Sequence, residues 1–225
     1  MTHFIYRSDD KESILYAAST WATIVDISSK GGKDKPAIYV DISGSMGSMM
    51  DNDMSFYAPV DRMQVATAIL HTVAKILKKR NPLYDLSEVP VFCWDGRSVY
   101  PGAVETGSKL IAPVTLRDSN GAGYLADGKS YTNVVELTLE QFHDPQFVGK
   151  IELQAIGGTN HDIWFNHSIQ EGFMPLVITD DYYKAYPPFK RNYQNYKWCD
   201  GDNILVLESP NVESRMLKND AEVKS

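Results

Sequence analysis

The sequence PAIYVDISGSM at residues 36–46 decides the fold. Its first five residues are mainly apolar and end in a β-branched valine, and Asp41 follows directly. A short apolar run of this kind predicts a strand that is buried on both faces of a sheet. The polar residues after Asp41 predict a loop, and Gly44 allows that loop to make a tight turn.

Similar apolar runs and one long helical pattern extend along the rest of the chain. In residues 61–80 apolar side chains recur at helical spacing, and lysine and arginine gather at the end where they offset the helix dipole. This pattern predicts a helix. Residues 105–130 show no steady periodicity and are predicted to be a loop with at most one edge strand. The remaining predicted elements are strands at 89–94, 151–156, 175–179 and 203–207, a hairpin strand at 98–104, and helices at 134–142 and 162–171.

Short apolar strands that alternate with helices predict an α/β fold. The expected architecture is a doubly wound, mostly parallel central sheet with helices on both faces, because a strand with one wet face would alternate polar and apolar residues. Ligands of such sheets bind outside the carboxyl ends of the strands. Two of the apolar runs end there in an aspartate, Asp41 and Asp180. These carboxylates are therefore the first candidates for a functional site.

The composition indicates a globular chain with an acidic balance. Twenty-nine acidic residues against 22 basic ones give a net charge of −7 over 225 residues. This balance opposes non-specific attraction to nucleic acid or anionic membranes and favours a cation as a small partner. Two cysteines, and a start without the basic and apolar stretches of a signal peptide, predict a cytoplasmic protein. No apolar run approaches the ~20 residues of a membrane span.

The length suits one domain with additions. Residues 36–208 are expected to form that domain, with an irregular insertion at about 97–150. Residues 1–35 are predicted to be an N-terminal extension that packs on the domain, and residues 209–225 are predicted to be a polar tail. One hydrophobic core is therefore expected to serve most of the chain.

The loop after the first strand has the chemistry of a metal site. Asp41, Ser43 and Ser45 place three oxygen-bearing side chains at alternate positions. Hard cations prefer oxygen ligands, and Mg²⁺ in particular is held by one or two carboxylates together with waters. With Asp180 added, these side chains predict a magnesium site at the carboxyl edge of the sheet.

Three motifs in this order make the chain resemble a von Willebrand factor type A (vWA) domain with its metal-ion-dependent adhesion site (MIDAS). The family's Asp-x-Ser-x-Ser loop matches residues 41–45, and its Gly-Gly-Thr turn matches residues 157–159. Its last aspartate ends a buried strand as Thr-Asp-Gly, which matches Thr179 and Asp180. Asp181 stands where the family usually has glycine, and adds negative charge beside the site.

The resemblance implies a Rossmann-like vWA fold and a role for each site residue. Five side chains are implied to bind the metal directly or through water: Asp41, Ser43, Ser45, Thr159 and Asp180. One coordination position stays open for a carboxylate of a partner protein, and the ion is Mg²⁺, with Mn²⁺ or Ca²⁺ as alternatives. Four residues beside the site are expected to contact that partner: Met46, Asp181, Tyr182 and Tyr183. The implied role is binding and not catalysis.

Two alternatives remain open from the residues. A strand that ends in Asp41 also begins phosphoryl-transferring hydrolases with an aspartate nucleophile, but these enzymes place a second aspartate two residues on, where this chain has Ser43. The second alternative is nucleic-acid binding through residues 182–198, in which seven aromatic and four basic side chains interleave. The same side chains also suit a protein interface or packing on the sheet.

Overall fold

The computed structural model describes eight stretches of the chain: residues 4–7, 11–31, 35–48, 61–116, 123–124, 130–131, 133–180 and 204–208. They contain four α-helices: α1 (Lys11–Gly31), α2 (Arg62–Arg80), α3 (Leu139–His143) and α4 (His161–Glu171). They also contain twelve strands: β1 (Phe4–Arg7), β2 (Lys35–Asp41), β3 (Val91–Trp94), β4 (Val99–Tyr100), β5 (Gly102–Thr106), β6 (Lys109–Leu116), β7 (Gly123–Tyr124), β8 (Ser130–Tyr131), β9 (Val134–Glu136), β10 (Ile151–Leu153), β11 (Phe173–Thr179) and β12 (Ile204–Glu208). These elements form a mixed α/β fold with two mixed sheets.

The first sheet has six strands in the order β1, β12, β11, β2, β3, β4. All neighbours are parallel except β3 and β4. Strands β2 and β11 lie side by side in the middle, with Val40 opposite Ile178. Asp41 is the last residue of β2, and Asp180 directly follows the last residue of β11. Both aspartates therefore reach the same edge of the sheet.

Helices cover both faces of this sheet. Ile38 and Val40 of β2 belong to the core that includes α1 and α2, whereas Ala37 and Tyr39 belong to the core that includes α4. All four side chains are buried, which is why β2 lacks the alternation of a strand with one wet face. The predicted buried strand at 36–40 is confirmed.

Helix α2 is the helix that the sequence pattern predicts over 61–80. Asp61 caps it: its side chain accepts a hydrogen bond from the backbone N–H of Gln64, and the Gln64 side chain accepts one from the N–H of Asp61. The apolar side chains of the helix are buried in the core that includes α1 and α2, which is the larger one and is called the main core below. Asn81 follows with extended backbone, because a residue before proline avoids helical geometry.

A second sheet lies in the segment predicted to be an irregular insertion at about 97–150. Its order is β8, β7, β6, β5, β9 with antiparallel neighbours, and β10 pairs parallel to β6. The prediction of a loop at 105–130 is therefore wrong, since β6 alone spans eight residues. Pro113 lies inside β6, and central strands usually exclude proline, so the sequence pattern concealed this strand.

The predicted helix at 134–142 is wrong over its first half. Val134–Glu136 forms strand β9, paired with β5, because β-branched valines favour a strand. Helix α3 begins only after Thr138, which caps it. The predicted strand at 151–156 forms over Ile151–Leu153 and belongs to the second sheet, not to the first.

Residues 1–35 supply β1 and α1. Strand β1 pairs with β12 at the edge of the first sheet. Helix α1 buries Trp21 in the main core, and its Ser19 and Thr23 accept hydrogen bonds from Arg80 at the end of α2. None of the helices in the described stretches is long and apolar enough to cross a membrane.

Candidate metal centre

Four of the five predicted metal ligands lie together at the carboxyl edge of the first sheet. The hydroxyl oxygens of Ser43 and Ser45 are 3.1 Å apart, and the Ser45 hydroxyl donates to Oδ1 of Asp180 at 3.0 Å. The backbone N–H of Ser43 donates to Oδ1 of Asp41 at 2.8 Å. Hydrogen bonds therefore join the end of β2, the loop after it and the residue after β11.

The turn Gly44–Gly47, a single turn of 3₁₀ helix, sets the positions of the two serines. The backbone N–H of Met46 donates to the carbonyl of Ser43 at 3.0 Å, which closes the turn. The N–H of Gly44 donates outward to the carbonyl of Gly157, also at 3.0 Å. Residues 43–47, called the serine loop below, are therefore hydrogen-bonded to the segment that contains the Gly-Gly-Thr motif.

Asp41 is fully buried, and both of its carboxylate oxygens accept hydrogen bonds. Besides the Ser43 N–H on Oδ1, the Thr179 hydroxyl donates to Oδ2 at 2.6 Å. Burial raises the pKa of Asp41 to about 6; the hydrogen bonds from Thr179 and Ser43 act in the opposite direction, and the charge of Asp180 adds to the rise. No lysine, arginine or histidine in the described part of the chain forms an ion pair with Asp41. A cation beside it would therefore offset the cost of a buried charge.

Thr159 lies two residues after Gly157, on the segment that is hydrogen-bonded to the serine loop. Three backbone hydrogen bonds hold this segment in place: Ile156 N–H to Ile42, Gly44 N–H to Gly157, and Gly96 N–H to Gly158. Gly157 has a φ of 75°, a conformation that favours glycine. Within the stretches that the structure describes, no hydrogen bond joins Thr159 to the other four predicted ligands.

The predicted partner contacts fall into two groups. Met46 is fully buried in the main core, so a contact between its side chain and a partner does not fit the structure. An apolar side chain of this size is stabilised by about 1.5–3 kcal/mol on burial, which explains its inward position. Asp181, Tyr182 and Tyr183, with the rest of the aromatic and basic segment at 182–198, lie outside the described residues. Their roles stay predictions.

Arg62 is part of the site, although sequence reasoning missed it. Its Nη1 donates to Oδ2 of Asp180 at 2.8 Å and to the carbonyl of Ser45 at 2.8 Å. The side chains of Arg62 and Asp180 are 12% and 4% exposed, so the ion pair is largely shielded from water. One sequence signal pointed to it. Arg62 is the first residue of α2, where the helix dipole disfavours a cation, so an anionic neighbour was to be expected.

The spacing of the oxygens fits a small, hard cation. Mg²⁺ binds oxygens at about 2.0–2.1 Å in octahedral geometry, which places adjacent ligands about 2.9 Å apart. The Ser43–Ser45 and Ser45–Asp180 oxygen distances, 3.1 and 3.0 Å, are those of the hydrogen bonds that join these groups, and they are close to that value. No group of three or more His, Cys, Asp or Glu in the described stretches suits a metal ion. The candidate site therefore depends on its hydroxyls.

Comparison of the chain with protein families, with curated proteins and with solved structures finds no match. The resemblance to the vWA family therefore rests on the three sequence motifs. The candidate site rests on the geometry of its own residues. Family membership and metal binding stay predictions.

Proposed function

We propose that the chain is a metal-dependent binding module of the vWA type, with a doubly wound, Rossmann-like domain at its centre. In this proposal a Mg²⁺ ion is held by Asp41, Ser43, Ser45, Thr159 and Asp180 and is presented to an acidic residue of a partner protein. The observation that carries the proposal is the cluster of two hydroxyls and a carboxylate, which hydrogen bonds of 3.1 and 3.0 Å hold together. Its place on the carboxyl edge of a mainly parallel sheet supports it, since ligands bind α/β sheets there.

The charges of the site support an acidic partner. Asp41 and Asp180 contribute two carboxylates, and the guanidinium of Arg62 offsets one of them. A bound divalent cation would reverse the sign of the remaining charge and would supply an open coordination position for a carboxylate oxygen. Ser43 and Ser45 are neutral ligands, so they leave that positive charge uncompensated.

The surroundings of Asp41 support binding in preference to catalysis. Asp41 is the residue that a phosphoryl-transferring hydrolase would use as its nucleophile. Its side chain is fully buried and both oxygens accept hydrogen bonds, so it is not exposed for attack on a substrate, and as a metal partner it would act through a water that the ion keeps. Ser43 occupies the position of the second acid that such enzymes require.

Affinity capture with matched baits tests the proposed role. Wild type, Ser45→Ala and Ser108→Ala serve as baits, because Ser108 is an exposed serine on the turn between β5 and β6, away from the cluster. We expect a partner that binds wild type and Ser108→Ala in Mg²⁺, and that is lost both in chelator and with Ser45→Ala. Replacing acidic residues of that partner one at a time, Asp→Asn or Glu→Gln, is expected to abolish binding at one position. Partners retained equally in chelator and with Ser45→Ala would contradict the proposal.

A further inference from the structure

The site contains its own cation in the form of Arg62. The Arg62 side chain is 12% exposed, and its guanidinium lies on the carboxylate of Asp180, whose side chain is 4% exposed. It belongs to the first turn of α2, where the free backbone N–H groups already supply positive potential. A cation is unfavourable at that end of a helix, so this position favours anionic neighbours, and Asp180 provides one in addition to the capping carboxylate of Asp61.

Both oxygens of Asp180 have protein donors in this arrangement. Ser45 donates to Oδ1 at 3.0 Å and Arg62 donates to Oδ2 at 2.8 Å. A divalent cation coordinated by this carboxylate would have to replace one of these donors or lie beside a guanidinium of like charge. Either arrangement would lower the affinity of the site for the metal.

The ion pair is incompletely compensated. Nε of Arg62 is buried and has no hydrogen-bond partner in the described stretches. A buried donor without an acceptor carries a desolvation penalty, which reduces the net stability of the guanidinium in its present place. This penalty makes the exchange of the guanidinium for another cation less costly than the loss of a fully satisfied pair.

We infer that Arg62 is the counter-cation of this site in the metal-free protein, and that the guanidinium and a divalent ion compete for Asp180. This inference rests on the proposed function, because it concerns the same metal site. Arg62 then has two effects. Its charge offsets the repulsion between the carboxylates of Asp41 and Asp180 when no metal is bound, and it lowers the affinity of the site for the metal.

Calorimetric titration of Mg²⁺ into the metal-free protein tests the competition. The proteins are wild type, Arg62→Gln, and Arg80→Gln as the matched control, since Arg80 is an exposed arginine at the other end of the same helix. We expect Arg62→Gln to bind Mg²⁺ on the order of tenfold more tightly than wild type. In the variant the ion no longer has to displace the charged hydrogen bond from Arg62 to Asp180. Arg80→Gln is expected to match wild type.

Thermal unfolding of the same three proteins provides an independent readout. In chelator, we expect Arg62→Gln to melt at a lower temperature than Arg80→Gln, because Asp180 loses its buried partner. Saturating Mg²⁺ is expected to raise the melting temperature of Arg62→Gln more than that of wild type.

The outcomes separate the two proposals. Wild-type binding of Mg²⁺ with equal or weaker binding by Arg62→Gln overturns the competition and leaves the proposed function intact. Binding by Arg62→Gln alone supports the competition and contradicts metal binding by the wild-type protein. Absence of binding by all three proteins overturns both.

Discussion

Arg62 and Asp180 are 118 positions apart in the sequence, and their side chains meet in an ion pair that is largely shielded from water, with 2.8 Å between Nη1 and Oδ2. The same Nη1 atom donates to the carbonyl of Ser45. One arginine therefore connects the start of α2, the loop after β2 and the end of β11. The site is organised by contacts between elements, so changes outside the predicted ligands are expected to affect it.

Gly157 is the clearest such position. It has a φ of 75°, and a Cβ atom there would lie 2.3 Å from Oδ2 of Asp95. Asp95 cannot yield easily, because it is fully buried and Arg97 donates two hydrogen bonds to that oxygen. We expect Gly157→Ala to lower the free energy of unfolding by about 1–3 kcal/mol. Urea unfolding followed by circular dichroism measures it.

The adjacent glycine provides the control. A Cβ atom at Gly158 would meet no atom within 4 Å, so Gly158→Ala is expected to change stability by less than about 0.5 kcal/mol. The Gly157 carbonyl accepts a hydrogen bond from Gly44 in the serine loop. Gly157→Ala is therefore also expected to weaken Mg²⁺ binding, and equal stability of the two variants would contradict this account of the loop.

The capping box of α2 provides a second test. The Asp61 side chain accepts a 2.7 Å hydrogen bond from the N–H of Gln64, next to the arginine of the site. We expect Asp61→Ala to reduce the free energy of unfolding by about 1 kcal/mol, whereas Asp61→Asn, which keeps a capping oxygen, is expected to lose much less. Urea unfolding distinguishes them, and an equal loss in both variants would show that the cap is not the cause.

The positions of Asp41 and Asp180 followed from the sequence for a physical reason. Central parallel strands are buried on both faces, so they appear as continuous apolar runs with clear ends. The registers of β2 and β11 then bring those ends together. The serine loop followed as well, because its oxygens lie directly after one of these strands.

Other parts of the structure depend on contacts that local sequence does not reveal. Strand β6 contains a proline and pairs with β5, β7 and β10, so its stability comes from neighbours and not from its own pattern. Met46 lies in a polar loop and from the sequence is expected at the surface. In the structure it belongs to the 3₁₀ turn, and its side chain is buried in the core. Arg62 carried a usable signal, since a cation in the first turn of a helix is unfavourable and an anionic neighbour offsets it.

His167 predicts a specific pH dependence. Its Nδ1 is hydrogen-bonded to the Tyr39 hydroxyl at 3.0 Å, and this hydroxyl stays protonated because burial raises the pKa of Tyr39. Burial lowers the pKa of His167 below its ordinary value. As the pH falls through about 6.5, the unfolded chain takes up a proton at this histidine before the folded protein does, so stability is lost.

The comparison with His167→Gln isolates this effect. We expect the free energy of unfolding of wild type, relative to that of the variant, to decrease as the pH is lowered from 7.5 to 5.5. Urea unfolding at a series of pH values in chelator provides the measurement. A constant difference across this range would show that protonation of His167 is not linked to folding.

The most direct test of the central claim is calorimetric titration of Mg²⁺ into metal-free wild type, Asp41→Asn and Asp85→Asn. Asp85 is an exposed acid just before β3, at the opposite edge of the first sheet, and serves as the control. We predict one binding site in wild type and in Asp85→Asn. We predict at least a roughly tenfold loss of affinity in Asp41→Asn, since even partners outside the coordination sphere of a metal contribute that much. Equal heats in all three proteins, or no binding by wild type, would contradict the assignment of this site as a metal centre.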